Sequence, residues 1–126
     1  MTVHLLKIAA LTLAAFLFAA LPAEAAEADF VTGTGDLPLM AGLREVADGA
    51  LVFEVAGGRI VEVAATGSLS AHAVRRFYGE TLPQLGWTPA GSDRYLREGE
   101  VLVFDILSAG DGVEVRFTLG PRPAGK

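Results

Sequence analysis

Ser70–Trp87, SAHAVRRFYGETLPQLGW, decides the fold. Val74, Phe77, Tyr78, Thr81, Leu82 and Leu85 recur at i, i+3, i+4, i+7, i+8 and i+11, while Arg75, Arg76, Gly79 and Glu80 take the opposite side. That 3.6-residue period over three turns predicts one amphipathic helix with its apolar stripe against a core. Ser70 is placed to cap the start, since its hydroxyl can accept from a first-turn amide that has no helical partner. Gly86 suits the left-handed residue that ends a helix, and Trp87 then folds back near Leu82. Pro83 is the irregularity: it deletes a donor and crowds the Gly79 carbonyl, which predicts a kink or a tightened last turn. Phe77, Tyr78 and Trp87 have two readings, core packing or the lining of a ligand groove between helix and sheet.

On the C-terminal side, Arg94–Arg97, Val101–Leu107 and Val113–Leu119 have strand composition. A two-residue Glu98-Gly99 turn sets Tyr95 opposite Leu102. An even loop over Ala109–Gly112 brings Ile106 to Val115, Phe104 to Phe117 and Asp105 to Arg116. An odd loop would set Phe104 against Arg116, so the even loop is expected, with Asp105 and Arg116 as an ion pair. On the N-terminal side, Leu51–Val55 and Arg59–Ala65 flank Gly57-Gly58. A loop of Gly57-Gly58 alone would oppose Phe53 to Glu62. A three-residue Ala56–Gly58 loop pairs Phe53 with Val61 and Leu51 with Val63, and is expected because it gives an apolar face.

The expected fold is therefore α+β in two layers, ordered β-β-α-β-β-β: an antiparallel sheet with one helix on its inner face. Leu51, Phe53, Val61, Val63, Leu102, Phe104, Ile106, Val115, Phe117 and Leu119 would face the helix. The order of strands between the two hairpin groups is left open. The outer face would carry five aliphatic residues, Val52, Ile60, Val101, Val103 and Leu107, among Glu54, Glu62, Asp105, Glu114, Arg116 and Thr118. Either this face is an ordinary one partly covered by the Asp29–Leu43 segment, or it is an interaction surface for a partner or a second copy. An exposed sheet edge would serve the same end by strand addition.

Residues 1–25 have the composition of a secretory signal: Lys7, the apolar run Ile8–Leu21, and Ala23-Glu24-Ala25 as a small-x-small cleavage site. The run is shorter than the roughly 20 residues of a spanning helix, so cleavage is expected over anchoring, with no stable membrane span afterwards. Residues 26–36, poor in apolar side chains, are expected to be a flexible linker. Residues 37–120 form one domain, with Leu37–Leu43 extended along it, and 121–126 a disordered tail. A periplasmic or secreted location follows from the leader. Without cysteine the chain is neither a disulfide scaffold nor a lipoprotein, and its roughly 100 mature residues must rest on their core. A net charge of −5 argues against nucleic acid.

Catalysis has little to stand on. His72 is the one histidine beyond the leader, without a carboxylate near it in sequence to fix its tautomer. Ser68 and Ser70 lack a nucleophile elbow. With no cysteine there is no zinc set, and the acids lack calcium-loop spacing. Gly33-Thr34-Gly35 is followed by Leu37-Pro38 in place of a helix, so it is no phosphate loop. No catalytic, metal or cofactor residue is assigned. The expected partner is an envelope protein or the chain itself.

The string Val74-x-x-Phe77-Tyr78-x-x-x-Leu82-x-x-x-Gly86-Trp87, followed by a hairpin, resembles a group of small exported bacterial domains. Asp36–Met40, Gly58–Glu62 and Arg97–Glu100 are similar to segments of uncharacterised alphaproteobacterial members of that group. The resemblance covers most of the chain beyond the leader and implies the same helix-and-sheet fold. It carries over no catalytic residue.

Overall fold

Ser70 opens the helix as its hydroxyl accepts the Ala73 amide at 3.0 Å, and α1 runs Ala71–Thr81. At Pro83 the missing N–H interrupts the α-helical ladder, and the chain tightens into a 3₁₀ turn over Leu82–Leu85. Gly86, at φ 89°, reverses the direction. The Trp87 amide then bonds back to the Leu82 carbonyl at 3.0 Å, and the Gly86 amide to Pro83 at 3.2 Å. Val74, Tyr78 and Leu82 are buried, with Phe77, Thr81 and Leu85 half-buried beside them, so the expected stripe faces the core.

The computed structural model describes residues 29–123. The expected leader, residues 26–28 of the linker and 124–126 of the tail lie outside them. Among the described residues seven strands form one antiparallel sheet: β1 Arg44–Glu45, β2 Leu51–Val55, β3 Gly58–Gly67, β4 Thr88–Pro89, β5 Arg94–Arg97, β6 Glu100–Ala109 and β7 Gly112–Pro121. Across the sheet the order is β1, β3, β7, β6, β5, β4, and β2 pairs with β3 on the same edge as β1. The α+β class is as expected. The order differs by two added two-residue strands, β1 before the first hairpin and β4 after the helix.

The second half keeps its expected pairing: Tyr95 opposite Leu102, Phe104 opposite Phe117, Ile106 opposite Val115 and Asp105 opposite Arg116. The strands run further than expected, to a two-residue Gly110-Asp111 loop, without a change of parity. β7 also takes in Gly120 and Pro121, and the Arg122 amide bonds the Gly99 carbonyl, so the start of the expected tail is tied to the sheet. Tyr78 lies at the centre of the inner face, its ring 5.0 Å from Phe104, 5.5 Å from Phe117 and 4.9 Å from Phe77.

The first hairpin corrects the expected register. Val55 closes on Gly58 around an Ala56-Gly57 loop, with Gly57 at φ 88°, so Phe53 opposes Ile60, Val52 opposes Val61 and Leu51 opposes Glu62. Every β2 side chain is thereby turned over. Leu51 and Phe53 lie on the outer face, and Val52 and Glu54 on the helix side. The apolar pattern fixes register only where one face is buried. β2 is an edge strand exposed on both faces, so its pattern carries no such instruction.

The expected linker is also corrected over its described part. Val31 is 1% exposed and Thr34 4% exposed. The segment folds as a tight loop, with the Val31 amide on the Leu37 carbonyl (2.8 Å) and the Leu39 amide on Asp29 (2.7 Å). Three buried apolar residues, Val31, Leu37 and Leu43, fasten it to the core on the helix side, not over the outer face.

Candidate interaction surface

The direction of the backbone groups along β2 follows from its pairing. In a two-residue hairpin the residues flanking the loop exchange hydrogen bonds, and the pairs then alternate. Val55, Phe53 and Leu51 therefore bond β3, and the N–H and C=O groups of Val52 and Glu54 point away from the sheet. The Val46 amide on the Ala64 carbonyl, 2.8 Å, agrees: even-numbered β3 residues address this edge. Leu51, Val52 and Phe53 are 52, 50 and 43% exposed. Among the described residues six large apolar side chains are exposed, and four of them, Val46 and these three, lie along this one edge.

The opposite edge is built differently. β4 has only two residues, the second is Pro89, and the next amide, Ala90, is occupied by the Arg94 carbonyl. A short strand with proline is a usual guard against strand addition. At the other end of the β3 edge, β1 is equally short and gives way to a turn at Val46–Gly49, with Asp48 at φ 57°. β2 carries neither device.

The outer face continues from this edge. Its rows read Phe53–Ile60–Gly120–Val101–Leu96 and Leu51–Glu62–Thr118–Val103–Arg94. Ile60, Val101, Val103 and Leu107 are on this face as expected, and Val52 is not. It lies on the helix side, where its side chain meets Gly33 of the N-terminal loop. Val101 is buried, Ile60 and Val103 are half-buried, and Leu107 is exposed. Asp105 and Arg116 are neighbours in register, but Arg116 Nε bonds Glu114 Oε2 at 3.0 Å, so the expected ion pair is replaced by one within β7. A shallow cavity of about 350 Å³ opens here between Gly49, Glu62, Ala64, Asp105, Arg116 and Thr118.

The three groove candidates are packed. Tyr78 is fully buried, Trp87 is 4% exposed, and Phe77 is half-buried against the Tyr78 ring. Burial pushes the Tyr78 phenol up to about 12. Its hydroxyl donates to the Pro38 carbonyl at 2.8 Å and accepts the Met40 amide at 3.2 Å. His72 is exposed in the first turn of α1.

A second polar cluster closes one end of the inner face. The Arg97 guanidinium lies 4.3 Å from the centre of the Trp87 ring and grips both Asp36 oxygens, at 2.8 and 3.1 Å. The hydrogen bond from Arg97 holds the Asp36 carboxyl below its ordinary range, and the same bond raises Arg97. Arg59 bridges Glu100 (3.2 Å) to the carbonyls of Gly33 and Thr34. A cleft of about 560 Å³ beside them is lined by Asp36, Leu85, Arg97, Glu98, Glu100 and Arg122. Its charges are mixed and largely paired, so it selects for neither anions nor cations. Trp87 Nε1 and Arg97 Nε are buried and have no hydrogen-bond partner among the described residues.

Leu51 and Phe53 are the surface residues that sequence reasoning missed. The observed register sets Glu54 opposite Arg59, which neither loop considered would do, but Arg59 bonds Glu100 and the Gly33 and Thr34 carbonyls instead, so the strand's own residues held no signal for it. Among the described residues no three metal-ligating side chains converge, and no helix is long and apolar enough to cross a membrane. No family model matches the chain, and no curated protein or solved structure matches it.

Proposed function

We propose that this chain is a non-enzymatic, exported binding domain that engages protein through the β2 edge and the adjoining outer face. One observation carries the reading. A five-residue strand with free outward backbone groups and three exposed apolar side chains sits at the only one of the sheet's edges, among the described residues, that is not shortened or capped by proline. Exposed edges of this kind are templates for strand addition: main-chain bonds supply affinity and alternate side chains supply selectivity. The apolar leader supports a periplasmic or secreted setting, where the partner is an envelope protein or the chain itself. The alternative that a groove between helix and sheet, lined by Phe77, Tyr78 and Trp87, makes the chain a carrier of a small apolar ligand has less support, because Tyr78 and Trp87 are buried in the packing there.

The test is site-specific photocrosslinking in the producing cell, from position 53 and from exposed Gln84 on the helix side. An adduct of defined mass from position 53, absent from position 84, is expected. Equal or absent labelling at the two positions would overturn the reading.

A further inference from the structure

We infer that the occupant of the β2 edge is a second copy of the same strand, paired antiparallel about a twofold axis through Phe53. This rests on the binding reading above and narrows it to one partner and one register.

The argument is one of parity. A twofold axis perpendicular to the sheet keeps inner and outer faces on their own sides, so residue i must meet a residue of the same face. Only registers in which the paired numbers sum to an even value do so. Centring on Phe53 sets Val52 opposite Glu54 of the second copy and Glu54 opposite its Val52. These are the two residues whose N–H and C=O groups point outward, so the backbone ladder closes on both sides of the axis. On the outer face Leu51, Phe53 and Val55 meet Val55, Phe53 and Leu51, apolar on apolar throughout. Centring on Val52 would carry the ladder off the strand at Ala50.

The area sets the strength. Half-exposed Leu51, Val52 and Phe53 from each copy, with the backbone between them, bury on the order of 800 Å² together, against about 1,200 Å² at the lower end of stable interfaces. The pairing is therefore weak and concentration-dependent. Glu54 is the one charge on the strand, and the two copies of it fall on a diagonal about 7–8 Å apart, which weakens the dimer further.

The chain contains no cysteine, so single substitutions read the register directly. Phe53 faces itself in a non-hydrogen-bonded pair, where α-carbons approach to about 4.5 Å, within disulfide reach. With oxidised glutathione, Phe53→Cys is expected to give a covalent dimer. Leu51→Cys alone is not, whereas Leu51→Cys mixed with Val55→Cys is. Sedimentation of the chain as its producing cell delivers it should show the average mass rising toward twice the monomer between about 10 μM and 1 mM. Glu54→Gln and added salt should raise the dimer fraction severalfold. Val52→Pro removes an outward N–H without touching the bonds to β3 and should give a folded monomer, while Val52→Ala, which trims the same contact with Gly33 and keeps the N–H, should still dimerise. A monomer throughout, or cross-linking no faster at position 53 than at exposed Leu107→Cys, would overturn self-pairing. If position 53 then still captures a different protein in the cell, binding stands and self-pairing falls; if it captures nothing, both fall.

Discussion

The Tyr78 hydroxyl fastens the N-terminal loop to the helix: it donates to Pro38 and accepts from Met40, 40 and 38 residues away along the chain. Tyr78→Phe keeps the aromatic packing and strips both bonds, leaving the Met40 amide and the Pro38 carbonyl without their phenol partner. A loss of about 1–2 kcal/mol is expected, read as a lower denaturation midpoint, with faster hydrogen exchange at Met40.

The same phenol makes the domain alkali-sensitive. Its folded value, pushed up to about 12, exceeds the ordinary value of 10.0. Above pH 10 the unfolded chain loses this proton while the folded one keeps it, so stability falls as pH rises and levels near 12. The drop attributable to this group is about 2–3 kcal/mol. Tyr78→Phe should remove that part of the alkaline slope, and denaturant titrations of both proteins at pH 8 to 12 measure it.

Asp36 sets an acid limit of the opposite sense. Its folded carboxyl is held below 3.8 by the hydrogen bond from Arg97, so the stabilisation is complete above that value and is lost as pH falls through the lower, folded one. Asp36 is half-exposed, which limits the bond to roughly 0.5–1 kcal/mol at pH 7. Asp36→Asn should differ from the parent by that amount at pH 7, and the gap should begin to narrow near 3.8 and close only as the pH falls through the lower, folded value. Urea midpoints across that range decide it.

Gly67 and Gly112 are fixed by contact. A β-carbon on Gly112 would collide with the Gly67 carbonyl, and one on Gly67 with the Gly42 carbonyl, so three backbone segments touch in series. Gly112→Ala should cost about 3 kcal/mol or more, because backbone rather than a side-chain tip has to move. Gly110→Ala, at φ 58° with open space around it, should cost about 1 kcal/mol. Thermal midpoints of the pair separate crowding from conformation.

Ser70→Ala deletes the helix cap and should lower stability by about 1 kcal/mol, with Ser70→Asp close to the parent. Helical circular dichroism and the unfolding midpoint check both.

The helix with its cap, its stop at Gly86 and the tightening at Pro83 was legible in eighteen residues, because those signals are local. The pairing of β6 with β7 was legible too. Its two faces have different surroundings, so parity alone separates Phe104 from Asp105. β2 gave no such purchase. Both of its faces meet solvent, and its register was settled by a turn ending at Gly57 and by Arg59 reaching inward to Glu100 and the Gly33 and Thr34 carbonyls.

Thus the chain alone determined what depends on neighbours within a few residues: one capped amphipathic helix, alternating strands and an α+β core. Tertiary structure decided that the polar-looking stretch after Asp29 is buried by way of Val31 and Leu37, that Arg116 chooses Glu114 over Asp105, and that Leu51 and Phe53 lie on the outer face at the open edge. Each of these turns on which distant backbone or charge arrives beside a residue, and composition and spacing do not encode that.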